Sequence, residues 1–320
     1  MTEPHRPHKL PPAPYLMQRQ FDHHDLTWLD LLHPREDQIG YLRQRYAFHE
    51  LHLADVISAQ QRPKIDDSPA LDYIFLVLHI PAYNELNRLP TASEVDCFVG
   101  DNYLITAHDG RLRPLVRLLQ TAEGERGRSE LMGRGSGYLL YRLMDALIAN
   151  LYPLVYSIYE RLDRIDIEMF KEPAQEIVQE ISLVRRDVIS LRRILRPNIG
   201  VVQELARCKR PFLHLDEGEY FGDLADAVSK LWDMLEEQKE IVEGLDATFS
   251  SLASHRINQE MRTFTLITVI FLPMTLIASV LGMNVMIPLA EHPWSLLFAL
   301  LLILAFAGAM IALFRHRGWL

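Results

Sequence analysis

The residues best suited to chemistry lie near the C-terminus, along one helical face and in the tripeptide after it. Polar and apolar side chains alternate on this face about once per helical turn: Asn258, Met261, Thr265, Thr268, Leu272, Thr275 and Ser279. Polar rungs separated by apolar ones suit a pore that passes and gates hydrated ions. Stripes of small polar residues also pack transmembrane helices together. The periodicity alone leaves both interpretations open.

The tripeptide Gly282-Met283-Asn284 follows this face directly. The glycine permits a tight backbone at the end of the helix, and Asn284 offers a neutral carboxamide oxygen. Because Mg²⁺ gives up its water reluctantly, amide oxygens that accept hydrogen bonds from its water shell avoid the cost of dehydration. A ring of such oxygens, one from each of several copies, would recognise a hydrated divalent cation.

Other chemistry has little support in the sequence. No GxxxxGK[ST] phosphate loop occurs, and His49-Glu50-Leu51-His52 is one residue short of the HExxH zinc spacing, which favours a surface histidine pair. The net charge of −9 excludes a nucleic-acid binder that relies on broad positive charge. We therefore predict no enzymatic activity, no organic cofactor and no nucleic-acid partner, with cations as the natural small partners.

Two uncharged segments predict transmembrane helices. Thr263–Leu281 and Trp294–Phe314 have 19 and 21 residues, about the length that crosses a ~30 Å hydrocarbon core. Basic residues flank the N-terminal end of the first segment (Arg256 and Arg262) and the C-terminal end of the second (Arg315, His316 and Arg317). The connector between the segments carries Glu291 as its only formally charged residue. The positive-inside rule predicts a multi-pass protein of the cell (inner) membrane with both termini in the cytoplasm. Two spans cannot enclose a water-filled path, so conduction would require several copies in cyclic symmetry.

The rest of the chain predicts an acidic body in front of this tail. The last 58 residues carry a local charge of +1, and subtracting it from −9 leaves −10 for residues 1–262. We predict a flexible leader at 1–23, a cytoplasmic α/β domain at 24–137, a long-helix or coiled-coil stalk at 138–262, and a two-span pore domain at 263–320. Strand-like runs in the second region include DLTWLDLL, LDYIFLVLHI, EVDCFVG and NYLITAH, with one helical run between the first two. The fold class is an α+β domain with a long α-helical stalk and two C-terminal transmembrane helices.

Two apolar seams with alternating steps of three and four define the predicted stalk. The first contains Ile177, Ile181, Val184, Val188, Leu191, Leu195, Asn198, Val202 and Leu205. The second contains Leu224, Val228, Leu231, Leu235, Gln238, Val242, Leu245, Phe249 and Leu252. No helix breaker separates the second seam from the first span, so we predict one helix from Asp216 to Leu281. Its segment from Asp216 to Arg262 carries a net charge of −8. Parallel copies of this segment would repel one another, and divalent cations that bridge their carboxylates would relieve the repulsion.

Several segments together resemble one known family. They are N-x-x-M at Asn258–Met261, FLPMTLIA at Phe271–Ala278, the Gly282-Met283-Asn284 signature, the terminal RHRGWL, and upstream RPKIDD, FVGDNYLITAH, YLLYRLMDALI and EYFGDLAD. In this order they resemble the CorA family of divalent cation transporters over nearly all of residues 24–320. The signature between two C-terminal spans after an acidic helix is highly specific.

The resemblance implies a funnel-shaped homopentamer in the lipid bilayer, with Mg²⁺ as both transported substrate and regulatory ligand. It implies a selectivity filter of Gly282, Met283 and Asn284. The implied pore-lining residues are Asn258, Met261, Phe264, Thr268, Leu272, Thr275 and Ser279. An acidic residue early in the long helix binds regulatory Mg²⁺ between protomers in the family; Asp223 matches it, and Asp226 is a second candidate.

Some positions depart from the family pattern and leave alternatives open. The outer loop reads Met-Ile-Pro-Leu where the family commonly has Met-Pro-Glu-Leu, with the acid displaced to Glu291. Met283 favours Mg²⁺, with Co²⁺ or Ni²⁺ as secondary ions, because the related zinc-transporting ZntB branch usually has a smaller aliphatic residue there. Zinc transport is the first alternative. A non-conducting, membrane-anchored coiled-coil scaffold is the alternative of another class.

Overall fold

The computed structural model describes residues 18–58, 61–84, 89–170, 174–213, 220–283 and 294–318 of the 320-residue chain. They fall into two compact units, Met1–Asp246 and Ala247–Leu320. The first unit combines a sheet with helices, and the second is helical.

A six-stranded sheet organises the first unit. Its strands are β1 (Gln18–His23), β2 (Leu26–Leu32), β3 (Lys64–Asp66), β4 (Ile74–Asn84), β5 (Leu89–Val99) and β6 (Tyr103–His108). Their order in the sheet is β1-β2-β6-β5-β4-β3, and only the β2–β6 pair is parallel. The four strand-like runs of the sequence correspond to β2, β4, β5 and β6.

Helices cover both faces of the sheet. Phe75 and Val77 point to a core formed with α1 (Glu36–Arg45) and α2 (Glu50–Ile57). Leu78 and Ile80 point the other way, towards residues of α5 (Ser136–Ala149) and α7 (Ala174–Leu205). Successive strand residues face opposite sides. Because both sides are covered, β4 is a nearly continuous apolar run instead of an alternating one.

Strand β1 lies within the predicted flexible leader, so that prediction is wrong for residues 18–23. Only Phe21 is buried in this edge strand, and it packs against the Trp28 ring at 5.6 Å between centroids. The strand forms through its pairing with β2. A polar segment with one apolar residue carries little strand signal of its own. Residues 1–17 of the predicted leader lie outside the described residues.

The helical run after β2 is divided into α1 and α2. Tyr46 leaves the helix in an extended conformation, and its ring stacks on Phe48 at 5.0 Å. Phe48 in turn stacks on Phe98 of β5 at 4.2 Å. Packing of these rings on the sheet therefore overrides the helical pattern. The segment after β6 is similarly divided, into α3 (Arg113–Glu123) and α4 (Glu125–Met132).

Long helices complete the first unit, and the last of them continues into the second. They are α5, α6 (Leu151–Glu168), α7 and the 62-residue α8 (Tyr220–Leu281), with a short 3₁₀ turn at Pro211–Leu213. All nine residues of the first predicted seam are buried, as are those of the second from Leu224 to Leu245. The first four residues of the predicted long helix, 216–219, lie outside the described residues.

The polar residue of each seam forms hydrogen bonds with backbone groups of a neighbouring element. Asn198 accepts the N–H of His79 at 3.0 Å through Oδ1 and donates to the His79 carbonyl at 2.7 Å through Nδ2. His79 lies on β4 beyond Val77, where the pairing with β3 ends. The carboxamide thus occupies the place of a missing strand. Gln238 donates to the Val155 carbonyl at 2.7 Å.

The second unit contains the end of α8 and α9 (Ser295–His316). Both helices are long and apolar enough to cross a membrane. In the most apolar 18-residue segment of each helix, only 6% and 0% of the residues are buried within the chain. This low burial distinguishes them from the core helices of a soluble protein.

Candidate ion pathway and acidic helix face

One side of α8 in the second unit is covered and the other is open. The covered face consists of Leu266, Ile270, Pro273, Met274 and Ile277, which are buried or half-buried. Leu266 and Ile270 lie two residues before and after Thr268, so at about 100° per residue they point about 160° away from it. The exposed side carries the pore-lining residues predicted from the sequence. We define the open face as Asn258, Met261, Phe264, Thr268, Leu272, Thr275 and Ser279, all exposed.

Helix α9 has a matching half-buried stripe. Its members recur at steps of three and four residues: Ala299, Ile303, Phe306, Met310 and Phe314. Arg262 of α8 donates to the carbonyl of Gly318, just after α9, at 2.6 Å. The basic flank of the first predicted span in α8 therefore lies beside the basic C-terminal end of α9. The covered face of α8 and this stripe of α9 are the least exposed sides of the two helices, and the open face lies on the opposite side of α8 from its covered face.

The threonines of the open face have a defined hydroxyl orientation. Thr268 donates to the carbonyl of Phe264 at 2.8 Å, and Thr275 donates to that of Phe271 at 2.9 Å. Neighbouring Thr265 donates to the carbonyl of Met261 at 2.7 Å. Because each hydroxyl proton is used within the helix, the oxygen presents its lone pairs outward. These oxygens can accept hydrogen bonds from the water shell of a cation.

The apolar members of the open face are exposed within the chain. Met261, Phe264 and Leu272 have 58%, 65% and 63% of their surface accessible. They lie between the polar rungs at intervals of about one or two turns. Within a water-filled path, rings of such side chains would form dewetting constrictions.

The predicted selectivity filter is only partly within the described residues. Helix α8 ends at Leu281, and the Gly282 N–H donates to the Ala278 carbonyl at 2.9 Å. A Cβ at Gly282 would approach the same oxygen to 3.3 Å, so the close contact at this helix end favours glycine. Met283 is 57% exposed. Asn284 and Glu291 lie outside the described residues.

The predicted regulatory acids lie on the first unit's part of α8. Asp223 and Asp226 are exposed, one turn apart, and neither forms an ion pair or hydrogen bond with another described residue. Burial, followed by the negative charges of Asp145 and Asp223, raises the pKa of Tyr141. Asp145 of α5 and Asp223 therefore both lie near Tyr141. The sequence analysis did not single out Asp145, because its helix carries no acidic pattern.

Part of the acidic charge on α8 is neutralised by α7. Arg192 pairs with Glu236, and Arg185 pairs with Asp246 at 2.6 Å. Asp233 and Glu240 remain exposed on the same side as Asp223 and Asp226. The negative charge that would cause the predicted repulsion between copies is thus concentrated on the side of α8 that carries these four acids.

The HExH motif does not provide a zinc pair. His49 is exposed, and its Nδ1 accepts the N–H of Leu51 at 3.2 Å. His52 is buried between the Tyr73 hydroxyl and the Asp66 carboxylate, each at 2.9 Å. The surface interpretation is correct for His49 and wrong for His52. Within the described ranges, no group of three or more His, Cys, Asp or Glu side chains is arranged to hold a metal ion.

The sequence analysis also missed a polar cavity in the α/β part of the first unit. It has a volume of about 310 Å³ and lies between the end of α2 and strands β4, β5 and β6. Acidic side chains of β5, Glu94 and Asp96, contribute to its lining. A signal was present, because strand alternation puts both acids on the same face as the core residue Phe98.

Together, a sheet-and-helix unit, a 62-residue helix and two exposed apolar helices are typical of a membrane protein. The family described as CorA-like Mg²⁺ transporter protein matches residues 23–316. The chain therefore belongs to the CorA family of divalent cation transporters.

Individual relatives agree with this assignment. The cobalt/magnesium transport protein CorA of Thermotoga maritima is 28% identical over 299 residues, which cover 92% of this chain and 83% of the relative. The zinc transport protein ZntB of Pectobacterium atrosepticum is 20% identical over 227 residues, covering 71% and 68%. The solved structure of the complete CorA magnesium transporter from Methanocaldococcus jannaschii superposes with a TM-score of 0.80 at 21% identity, covering 94% of this chain and 93% of that one. The predicted family and fold class are confirmed.

Proposed function

We propose that five copies of the chain surround a pore lined by the open face of α8 and carry hydrated Mg²⁺ across the membrane. The observation that carries this proposal is the position of the open face, which is exposed and lies opposite the covered face of the same helix. Copies arranged about an axis would turn these faces inward. Co²⁺ and Ni²⁺ are secondary substrates.

The open face supports passage of an ion with its water shell. The outward lone pairs of Thr268 and Thr275 would accept hydrogen bonds from that shell. Rings of Met261, Phe264 and Leu272 would close the path by dewetting. A divalent ion crossing 100 mV gains about 4.6 kcal/mol, twice the ~2.3 kcal/mol of a unit charge, so no ATP site is required.

The proposed orientation in the cell (inner) membrane has both termini and the α/β unit in the cytoplasm. The bond from Arg262 to the Gly318 carbonyl brings the basic ends of the two spans to one side. Basic ends favour the cytoplasmic side. Asn284 would then meet the hydrated ion at the outer mouth, together with Gly282 and Met283.

Regulation by cytoplasmic Mg²⁺ would act through Asp223 and Asp226. Their exposure and lack of partners among the described residues leave both carboxylates available to an ion between protomers. At high Mg²⁺ such ions would hold the helices together and keep the pore closed. At low Mg²⁺, repulsion would favour looser, conducting states, which is feedback by differential binding.

Zinc transport is the second candidate, because ZntB proteins are among the relatives. Met283 supports Mg²⁺ over this alternative. The family assignment favours transport over the non-conducting scaffold.

Cysteine accessibility tests the proposed pore. In a Cys208→Ser background, where only the buried Cys97 remains, we expect a water-soluble thiol reagent to block Mg²⁺ flux through Leu272→Cys. Ile277→Cys, on the covered face, is the matched control and should keep its flux, because lipid or α9 shields it from water. Flux is measured in liposomes with a Mg²⁺-sensitive dye. Equal block of both variants, or of neither, would contradict a pore along the open face.

A further inference from the structure

The Asp96 cavity, the 310 Å³ space introduced above, lies within a single chain. It is bordered by the end of α2, by His79 of β4, by Glu94 and Asp96 of β5, and by Asp109 and Arg111 after β6. None of these residues belongs to α8. The cavity is therefore distinct from the open face and from the Asp223 region.

Asp96 has an unusual status in this cavity. The residue is 4% exposed, and its Oδ1 is fully buried with no hydrogen-bond partner among the described residues. Leaving a buried acceptor unpaired is destabilising, and more so when the group is charged. Asp96 also lines the cavity, so a buried carboxylate without a hydrogen-bond partner among the described residues stands at the cavity wall.

The neighbouring acids are already partnered. Glu94 Oε2 lies 3.2 Å from Nε2 of His79 and accepts the N–H of Gln61 at 2.8 Å. Asp109 accepts from Ser93 at 2.5 Å and from Nε of Arg111 at 2.7 Å. Arg111 also donates to Thr91 and to the Ala92 carbonyl, so its guanidinium is engaged by groups other than Asp96. Asp96 is thus the acid of this group that lacks a hydrogen-bond or positively charged partner among the described residues. Glu94 lies beside it on the same face of the strand.

The electrostatics agree with this geometry. Burial, followed by the negative charges of Glu94 and Asp55, raises the pKa of Asp96 well above its usual value, with Lys64 as the opposing charge. Lys64 is itself engaged with Asp55 at 2.5 Å. Burial without a partner therefore disfavours a bare negative charge on Asp96, and a bound cation would offset this cost.

We propose that the Asp96 cavity binds one hydrated divalent cation, with Asp96 and Glu94 as its anionic acceptors. Side chains for direct coordination by three or more ligands are not assembled in the described part of the chain. Mg²⁺, in contrast, keeps several waters and takes one or two carboxylates. Six waters at about 30 Å³ each need about 180 Å³, which the cavity accommodates. The site would give each chain a cation sensor that does not depend on contact between copies.

Counting bound Mn²⁺ tests this proposal, with Mn²⁺ as a paramagnetic substitute for Mg²⁺. The full-length protein is purified in detergent with Asp223→Asn and Asp226→Asn, which removes the proposed site on α8. Free Mn²⁺ is then measured by electron paramagnetic resonance. Adding Asp96→Asn should remove one Mn²⁺ per chain or weaken that site at least about tenfold, because a hydrogen bond to a charged group is lost. Asp233→Asn, an exposed acid on α8, is the matched control and should change nothing.

Asparagine has the shape of a protonated aspartic acid, so we expect Asp96→Asn to fold. If it does not assemble, Glu94→Gln in the same background replaces it, with the same expected loss of affinity. A folded variant of either kind that binds as many Mn²⁺ ions as its parent, with equal affinity, overturns the proposal. Because binding is measured without transport, a failure of the proposed pore would leave this result unaffected.

Discussion

Replacing Asn284 by alanine is expected to lower Mg²⁺ uptake into proteoliposomes at least about tenfold. Each hydrogen bond from the charged water shell to a carboxamide contributes about 1.5–3 kcal/mol, and 1.4 kcal/mol corresponds to a factor of ten. Five copies would lose a whole ring of acceptors, so the effect on ion recognition exceeds that of one bond. Uptake is measured with an entrapped Mg²⁺-sensitive dye under an inside-negative potential.

The control for this variant is Gln259→Ala. It removes a carboxamide from α8 at an exposed position about half a turn away from the open face, so uptake should remain near that of the unchanged protein. If Asn284→Ala transported Mg²⁺ as fast as this control, the proposed role of the tripeptide in ion recognition would be wrong.

The double substitution Asp223→Asn and Asp226→Asn should produce the second large effect, a loss of inhibition by cytoplasmic Mg²⁺. Allosteric coupling typically amounts to 1–3 kcal/mol, or about 5–150-fold in affinity. We therefore expect the Mg²⁺ concentration for half-maximal inhibition to rise at least about tenfold. The maximal flux at low Mg²⁺ should be retained, because neither residue is on the open face.

The matched control is Asp233→Asn, which removes one negative charge from the same exposed side of α8, about three turns after Asp223. It should shift the inhibition curve by less than about threefold, since charges exposed to solvent are screened by salt. An unchanged inhibition curve in the double variant would remove Asp223 and Asp226 from the proposed sensor.

The helical seams were predictable because burial follows residue spacing directly. Val184, Val188 and Leu231 are completely or almost completely buried, as their three-and-four spacing predicts. The two spans were predictable for the same reason, since about 20 uncharged residues suffice to identify them. These elements depend on local pattern alone.

Features that depend on tertiary contacts were not predictable. The sequence between Arg35 and Ser58 is helical in pattern, and the break near Tyr46 exists because its ring and that of Phe48 pack on the sheet. Strand β1 exists through its partner β2. Likewise, Asn198 fills a place in the sheet 119 positions away, at His79, which no local pattern indicates.

The candidate site likewise has a part that local pattern predicts and a part that depends on tertiary contacts. The 3.6-residue period indicated every member of the open face except Phe264, which came from the family resemblance. Which side of α8 would be covered could not be predicted, because burial depends on contacts outside that helix. The Asp96 cavity was missed because it combines residues of three strands and a helix end that are far apart in sequence.

The central claim is passive, potential-driven transport of Mg²⁺, and ion-competition flux in liposomes tests it most directly. The reconstituted protein is exposed to Mg²⁺, Zn²⁺ and Co²⁺, singly and in pairs, at a potential of about 100 mV (inside negative), with dyes for the metal and for internal pH. We predict Mg²⁺ entry that increases with the potential, competition by Co²⁺, and no accompanying change in internal pH. Zn²⁺ entry coupled to a pH change, without Mg²⁺ entry, would contradict the account.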